Sequence, residues 1–345
     1  MRRLPIFIVA DVSESMINHL ADVENGIGEL ISQLNMDPYA LETTCLSLIV
    51  FAGKSKIIFP LTEVYKVNNS FSLPLGGGTS LGNALSCLMK EIDNNVQKNS
   101  PTSKGDWKPI VFLFTDGMPT DNYRSQVQFW KKNYSNKAHL VAISLGEQLD
   151  CSILGQLTDD IYLLKTMTAS SFKEFFKWVT NSIKTNSVSV SANETNKIYL
   201  EEVSDDGPLK RINLKKDVVV KNVQDEFMYI MGKCSQRKKR FLLKYVKNKE
   251  GNQYQEVGIY QIPNEELYDE LTEDVSIGQT FDTESIESYS DLSCPHCGNQ
   301  TLFNLCSCGR IFCSDGESYE LTCPWCGKTS DYSPADNLII GSSLG

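Results

Sequence analysis

Residues 4–15 read Leu-Pro-Ile-Phe-Ile-Val-Ala-Asp-Val-Ser-Glu-Ser, and this stretch decides the fold of the N-terminal half. The apolar run Leu4–Ala10 is typical of a buried parallel strand, and polar residues follow it at once. Ligands of open α/β sheets bind at the carboxyl ends of such strands. Asp11, Ser13 and Ser15 place three oxygen-bearing side chains there, which suits a hard divalent cation such as Mg²⁺. The alternative is that a serine only caps the next helix.

Further apolar runs with amphipathic segments between them continue the same pattern. The predicted strands are Thr44–Ala52, Lys56–Leu61, Pro109–Thr115, Ala138–Ser144 and Ile161–Leu164. The predicted helices are Met16–Leu34, Leu81–Val96, Gln126–Tyr134 and Ser170–Ile183. Continuous apolar strands that alternate with helices predict an α/β fold with a doubly wound, mostly parallel sheet covered on both faces.

Two more loops occupy equivalent places in this layout. The glycine-rich loop Gly76–Ser80 precedes a helix, and Thr115–Asp121 follows a strand. If the loops converge, they add the hydroxyl of Thr79 and the carboxylate of Asp116 to the cluster. Each loop has an alternative. The glycine run could hold a phosphate, although it fits no phosphate-binding motif, and Asp116-Gly117 could be an ordinary turn.

Together, Asp11-x-Ser13-x-Ser15, Thr79 and Asp116-Gly117 resemble the metal-ion-dependent adhesion site of the von Willebrand factor A domain. The resemblance covers residues 1–186 and implies a Rossmann-like sheet with Mg²⁺, or Mn²⁺, at its upper edge. By this resemblance Ser13, Ser15 and Thr79 bind the ion directly, whereas Asp11 and Asp116 bind it directly or through water. The resemblance also implies that an acidic residue of a protein partner fills an open position on the metal.

Residues 187–263 predict a small β-rich domain, because short β-like runs are separated there by turn signals. The runs are Ile198–Val203, Lys216–Val223, Phe227–Cys234, Phe241–Val246 and Val257–Ile262. The basic run Arg237–Arg240 could bind phosphate groups or nucleic acid, but we interpret it as a solvated turn. Cys234 has no histidine nearby to activate it, so it is interpreted as a small core residue.

Residues 264–291 carry ten acidic residues and no Lys or Arg, which predicts a flexible acidic linker. One of its carboxylates could occupy the metal position of the first domain. This hypothesis rests on charge alone.

The chain has eleven cysteines, of which seven lie between residues 294 and 326. Without an export signal, such a cluster favours metal over disulfides. Two Cys-Pro-x-Cys-Gly knuckles predict one tetrahedral Zn²⁺ site in a zinc ribbon over residues 292–330, followed by a tail over 331–345. Its predicted ligands are Cys294, Cys297, Cys323 and Cys326. The surplus Cys306, Cys308 and Cys313 are additional candidate ligands, for a second zinc with or without His296, or packed thiols; a single zinc is favoured.

An A-type domain followed by this ribbon resembles the bacterial TerY-like proteins of tellurite-resistance and stress-response systems. The resemblance implies a protein kinase and a PP2C-type phosphatase as partners. The formal net charge of −10 and the scarcity of basic residues between the knuckles weigh against nucleic acid. No run is long enough to span a bilayer, so a cytoplasmic protein without membrane association is predicted.

The leading functional prediction is a non-enzymatic adaptor that grips an acidic residue of a partner through Mg²⁺. The alternative is a metal-dependent hydrolase or phosphotransfer enzyme that uses the same oxygen ligands. No general base is evident for such an enzyme, because His19 and His139 lie outside the metal loops.

Overall fold

The computed structural model describes residues 2–146, 151–191, 198–204, 206–214, 227–248, 253–272, 279–282, 286–287, 292–332 and 339–344. The chain divides into two compact units, Met1–Asn222 and Val223–Gly345, which we call the first and second domains. This division differs from the predicted boundaries at residues 186, 263 and 291. No helix within the described ranges is both long and apolar enough to cross a membrane.

The described residues of the first domain alternate between strands and helices. The strands are β1 (Leu4–Asp11), β2 (Thr44–Phe51), β3 (Ser55–Glu63), β4 (Ile110–Thr115), β5 (His139–Leu145), β6 (Ile161–Leu164) and β7 (Leu209–Ile212). The helices are α1 (Leu20–Met36), α2 (Pro38–Thr43), α3 (Leu81–Asn95), α4 (Arg124–Asn133), α5 (Cys151–Leu154) and α6 (Ala169–Ser191), with short 3₁₀ helices at Glu14–Asn18 and Val64–Lys66.

These strands form one sheet in the order β3-β2-β1-β4-β5-β6-β7. The strands from β2 to β6 in this order are parallel, and β3 and β7 are antiparallel edge strands. The predicted mostly parallel sheet is therefore confirmed. Because β1 and β4 are adjacent and parallel, Asp11 and Thr115 end their strands at the same edge of the sheet.

Side chains of β4 alternate between two packed layers. Val111 and Leu113 belong to the core cluster beneath α3 and α4. Phe114 points to the other face, where its ring centroid lies 5.7 Å from that of Phe175 and 6.1 Å from that of Phe176, both on α6. A strand buried on both faces explains the continuous apolar run that the sequence shows.

The last helix of the first domain is longer than predicted. Residues 187–191, which belong to the predicted β-rich domain, continue α6, and the predicted strand Ile198–Val203 is not a strand. Polar residues of the helix hold the returning chain: the Asn186 side chain bonds both the N–H (3.1 Å) and the carbonyl oxygen (2.6 Å) of Tyr199, and Ser182 Oγ accepts from Glu201 N (3.0 Å). These serine and asparagine side chains therefore have a structural role in α6.

A glycine in α1 allows the close approach of α6. A Cβ atom at Gly26 would overlap the ring of Phe176, whereas one at Gly28 would meet nothing within 4 Å. We expect Gly26→Ala to destabilise the first domain by about 1–3 kcal/mol because the packed core cannot expand. Gly28→Ala is expected to stabilise it by up to about 1 kcal/mol through helix propensity. Thermal unfolding of the two variants checks this, and equal effects would contradict the packing.

The second domain is largely β-structure. Its strands are β8 (Phe227–Lys233), β9 (Arg240–Lys247), β10 (Tyr254–Gln261), β11 (Gln279–Asp282), β12 (Ile286–Glu287), β13 (Thr301–Leu305), β14 (Ile311–Ser314), β15 (Glu320–Thr322), β16 (Thr329–Asp331) and β17 (Ile339–Leu344), and α7 spans Glu265–Leu271. The predicted strand Lys216–Val223 lies outside the described residues.

The part of the predicted β-rich middle that follows Asn222 forms one unit with the predicted zinc ribbon. Strands β8, β9 and β10 form an antiparallel meander, and β14 of the ribbon pairs in parallel with β8. Within the predicted ribbon, β13 pairs with β14 and β15 pairs with β16, both antiparallel.

The predicted acidic linker begins with a helix. Asn264 caps α7 by accepting from Leu267 N (3.1 Å), and Tyr268 and Leu271 are buried. Arg240 pairs with the carboxylate of Asp269. Acidic composition therefore does not exclude order over residues 265–271, because an N-cap, two apolar anchors and one cation are sufficient; residues 273–278, 283–285 and 288–291 lie outside the described part.

Candidate metal sites

An oxygen-rich site lies at the edge of the first sheet where β1 and β4 end. The glycine-rich loop is tied to this edge by main-chain hydrogen bonds: Gly76 N donates to Val12 O (2.9 Å) and Ser80 N donates to Ala52 O (2.7 Å). Asp11, Ser13 and Thr79 are each at most 1% exposed, although all three are polar. The topology thus brings together the loops that the sequence singled out.

Hydrogen bonds connect four of the predicted site residues. Ser13 N donates to Asp11 Oδ1 (2.9 Å), the hydroxyls of Ser13 and Ser15 lie 2.9 Å apart, and Ser15 Oγ donates to Asp116 Oδ1 (2.7 Å). Thr115 Oγ1 donates to the second carboxylate oxygen of Asp11. Thr115 was not predicted as a site residue, although its place at the strand end opposite Asp11 was available from the sequence pattern.

Thr79 is the remaining predicted residue of the cluster, and within the described ranges its buried hydroxyl oxygen, Oγ1, forms no hydrogen bond. A Cβ at Gly117 would lie 3.3 Å from this oxygen and 3.9 Å from Ser15 Oγ, so Gly117 lets the loops close on each other. Buried hydroxyls are normally hydrogen-bonded, and an exception points to a missing partner such as an ion.

Burial also leaves the Asp11 carboxylate poorly solvated. Burial raises the pKa of Asp11 to about 6, against the opposing effect of hydrogen bonds from Ser13 and Thr115. A cation beside the carboxylate favours its charged form and offsets that desolvation. The orphaned hydroxyl, the all-oxygen donor set and the buried carboxylate together fit a hard divalent cation.

Thr120 and Asp121, which are not among the predicted site residues, hold these loops together. Thr79 N donates to Thr120 Oγ1 (3.0 Å), and Thr120 N donates back to Thr79 O (2.8 Å). Asp121 Oδ2 accepts from Ser80 Oγ (2.7 Å) and from Gly82 N (2.8 Å). No sequence signal distinguished Thr120 and Asp121 from ordinary turn residues, because their partners lie about forty positions away.

A second kind of site lies in the second domain. Among the described residues, eight cysteines form two groups, in each of which the Sγ atoms lie within 4.8 Å of one another. The first cysteine cluster is Cys234, Cys294, Cys297 and Cys313, and the second cysteine cluster is Cys306, Cys308, Cys323 and Cys326. All are free thiols.

The prediction that the two Cys-Pro-x-Cys knuckles share one site is wrong. The knuckle Cys294/Cys297 belongs to the first cluster, and the knuckle Cys323/Cys326 belongs to the second. The reason is the pairing of β14 with β8, which places Cys313 beside the turn of Cys234, where Ser235 N lies 3.3 Å from Cys313 Sγ.

The sulfur spacing fits tetrahedral coordination. Pairs of Sγ atoms lie 3.7 Å apart for Cys297 and Cys313, and 3.6 Å apart for Cys306 and Cys326. Four thiolates at about 2.3 Å from a zinc ion have sulfur–sulfur edges of about 3.8 Å, whereas a disulfide is about 2.05 Å long. His296 is not needed as a ligand, because each cluster already has four thiols and its Nε2 bonds the carbonyl oxygen of Arg240 (2.8 Å).

Cys234 was not predicted as a metal ligand, because its turn has the backbone hydrogen bonds of a knuckle but not the sequence of one. Cys294 N donates to Asn299 O and Gly298 N donates to Cys294 O, at 2.7 and 2.8 Å. Cys234 repeats this pattern, with Cys234 N bonded to Lys239 O (2.8 Å) and Lys238 N bonded to Cys234 O (2.9 Å). Lys238 takes the positive φ (57°) that glycine adopts in the knuckles, and no second cysteine follows. The usual Cys-x-x-Cys-Gly signal is therefore absent.

Family profiles cover both domains. The von Willebrand factor type A domain matches residues 6–197, more than half of the chain, and the TerY-C metal binding domain matches residues 224–341. No curated protein matches the chain.

Solved structures resemble about half of the chain at low identity. Proximal thread matrix protein 1 from the mussel byssus is 16% identical, with 53% of this chain and 48% of that chain covered and a TM-score of 0.38. The same mussel protein with a zinc-occupied MIDAS motif is 18% identical, with 54% and 46% covered and a TM-score of 0.37. The SpRpn10 VWA domain is 13% identical, with 50% and 93% covered and a TM-score of 0.38.

This chain thus spans about half the length of the mussel protein, and the family assignment rests on the profile matches. The C-terminal profile places the cysteine clusters in a metal-binding domain. The chain therefore belongs to the von Willebrand factor type A domain family and carries a TerY-C metal-binding domain after its A domain.

Proposed function

We propose that the protein is a metal-dependent adaptor that binds an acidic residue of a partner protein through a divalent cation in the first domain. The observation that carries the proposal is the buried, unpartnered Thr79 hydroxyl beside a cluster of serine hydroxyls and aspartates. Ser13, Ser15 and Thr79 would hold Mg²⁺, or Mn²⁺, directly. Asp11 and Asp116 would hold it directly or through water.

The donor set explains why such a site favours a carboxylate from outside. Hydroxyl ligands are neutral, so the cation keeps much of its charge and attracts a further anionic oxygen. The rim of the site is reachable from solvent, because Ser15 is half-buried and Met118, two residues after Asp116, is 37% exposed. A partner's side chain can therefore approach the cluster.

The second domain would hold two Zn²⁺ ions, one in each cysteine cluster. The donors are thiolates at tetrahedral spacing, which is the preference of structural zinc. Four thiolate ligands leave no open position, so these ions would stabilise the domain and take no part in catalysis. Cys234 would join the β8–β9 turn to the ribbon through its metal.

The resemblance to TerY-like proteins supports a cytoplasmic role in tellurite resistance or stress signalling, with a protein kinase and a PP2C-type phosphatase as partners. These partners are part of the proposal. We also propose that the protein is not an enzyme. Of the two histidines in the first domain, His139 is at the amino-terminal end of β5, whereas the cluster is at the carboxyl ends of the strands. His19 contacts the Phe172 ring. Absence of turnover of generic phosphate esters in Mg²⁺ would agree with this, and turnover lost in Ser13→Ala would overturn it.

Capture of partners from native lysate tests the adaptor proposal. We expect a protein to be retained by the full chain in Mg²⁺ and lost both in EDTA and in a Ser13→Ala/Ser15→Ala variant in Mg²⁺. The variant is needed because EDTA also removes zinc. A matched control is Ser100→Ala/Ser103→Ala, which changes two exposed hydroxyls of the first domain that are not part of the cluster. The same proteins captured in all four arms would contradict metal-mediated binding.

A further inference from the structure

A second surface with binding chemistry lies in the second domain, around Trp325. Three cations from β8, β9 and the loop before β14 surround its indole: Lys233 Nζ lies 5.0 Å from the ring centroid, Arg310 Cζ 4.7 Å and Arg240 Cζ 5.7 Å. The indole itself is fixed, because Trp325 Nε1 donates to Ile311 O (2.7 Å) and Trp325 sits between two cysteines of the second cluster. Rigid Trp and Arg side chains are the residues most enriched at binding hot spots.

The turn between β8 and β9 extends this surface. Its hydrogen bonds to Cys234 fix the backbone, and Arg237, Lys238 and Lys239 are exposed beside Arg240. Lys238 has φ 57°, a conformation that costs a lysine more than a glycine. We call Lys233, Arg237, Lys238, Lys239, Arg240 and Arg310 the basic face.

Of the basic face, only Arg240 is neutralised by an ion pair within the described part of the second domain. Arg240 pairs with Asp269 and lies 3.5 Å from Glu265. Among the described residues, no ion pair involves any of the other five cations. A concentration of unpaired positive charge in a chain with a net charge of −10 is a strong departure from an evenly mixed surface.

We propose that the basic face is a docking surface for a short acidic peptide segment of a partner protein. Clustered cations attract carboxylates from solution and form charge-assisted hydrogen bonds with them, and the cations held against Trp325 are positioned in advance. A short segment fits better than nucleic acid. A long polyanion would extend beyond the face into the negative field of the rest of the chain, whereas a short segment would not. The proposal does not depend on the cation site of the first domain.

The test uses the full chain and fluorescence anisotropy of a labelled peptide rich in Glu and Asp, with its Gln/Asn counterpart as the neutral probe. We expect the acidic peptide alone to bind, with an affinity that falls as salt is raised. Lys233→Gln/Lys238→Gly/Arg310→Gln should weaken binding by about tenfold or more. Lys131→Gln/Lys132→Gln/Lys173→Gln, which removes the same charge from exposed sites of the first domain, should leave it nearly unchanged.

Lys238→Gly alone separates binding from folding. It removes one cation and relieves the positive φ, so we expect weaker peptide binding with equal or higher thermal stability. The proposal is overturned if the wild-type chain does not bind the acidic peptide at low salt, or if both triple variants weaken it equally. Tighter binding of a single-stranded oligonucleotide to the same face would also overturn it. So would peptide binding that appears only after neutralisation of Glu273, Asp274 and Glu284, because the chain's own acidic segment would then be the occupant.

Discussion

Cys234→Ser is expected to remove one of two zinc ions per chain and to unfold much of the second domain. The cysteines of the first cluster lie in the same buried core as Phe241 and Ile311, so the metal and the apolar packing support each other. Structural zinc sites contribute about 10–16 kcal/mol of apparent binding free energy, and we expect loss of one thiolate to remove several kcal/mol of it. A serine hydroxyl is a far poorer zinc ligand, and it leaves a polar group in that core.

Zinc stoichiometry by mass spectrometry and thermal unfolding measure this effect. Cys87→Ser is the matched control, because Cys87 is half-buried in the first domain and outside both clusters. That variant should keep both metals and change stability by about 1 kcal/mol or less. If Cys234 were not a zinc ligand, Cys234→Ser would be as mild as the control; an unchanged zinc content with unchanged stability would show this and contradict the first cluster.

Asp11→Asn is expected to abolish the stabilisation of the first domain by Mg²⁺ without destabilising the metal-free protein. In the wild type, Mg²⁺ at one hundred times its Kd should add about 2.7 kcal/mol to the free energy of unfolding. Asparagine keeps an acceptor for Ser13 N and can donate its amide N–H to Thr115 Oγ1, but it removes the charge that attracts the cation.

The metal-free variant should be as stable as the wild type or more so. Burial raises the pKa of Asp11 above that of an unfolded chain, so at neutral pH the ionised group disfavours the metal-free fold, and this cost fades as pH falls below about 6. Asparagine has no such cost. Thermal unfolding with and without Mg²⁺ checks both points. A Mg²⁺ shift that persists in Asp11→Asn would exclude Asp11 from the site, and a large loss of metal-free stability would show that its role is structural.

The oxygen cluster could be predicted from sequence because its residues lie at the ends of strands, or next to a helix, whose apolar patterns are easy to recognise. Leu4–Ala10 leads directly into Asp11, and parallel strands bring their carboxyl ends to one edge. Thr120 and Asp121 could not be predicted, because their role depends on hydrogen bonds to another loop. The local sequence pattern therefore predicts the ligands of this site, but not the residues whose hydrogen bonds hold its loops together.

For the cysteine clusters, the sequence identified most of the ligands but not how they are grouped. The knuckles were evident, but their pairing was not, because sulfur spacing along the chain does not say which turns meet. The pairing of β14 with β8 determines which turns meet. Cys234 lies in a hairpin about sixty residues before the first knuckle. The length of α6 could not be predicted for a related reason, since Asn186 and Ser182 have hydrogen-bond partners 13 and 19 residues further along the chain.

Titration of Mn²⁺ into the zinc-loaded full chain, followed by electron paramagnetic resonance, tests the central claim most directly. We expect one tightly bound Mn²⁺ per chain that Mg²⁺ displaces, that Asp11→Asn and Ser13→Ala/Ser15→Ala abolish, and whose signal changes when a soluble carboxylate such as acetate is added. A wild-type chain that binds no Mn²⁺, or variants that bind it equally well, would contradict a cation site at these loops.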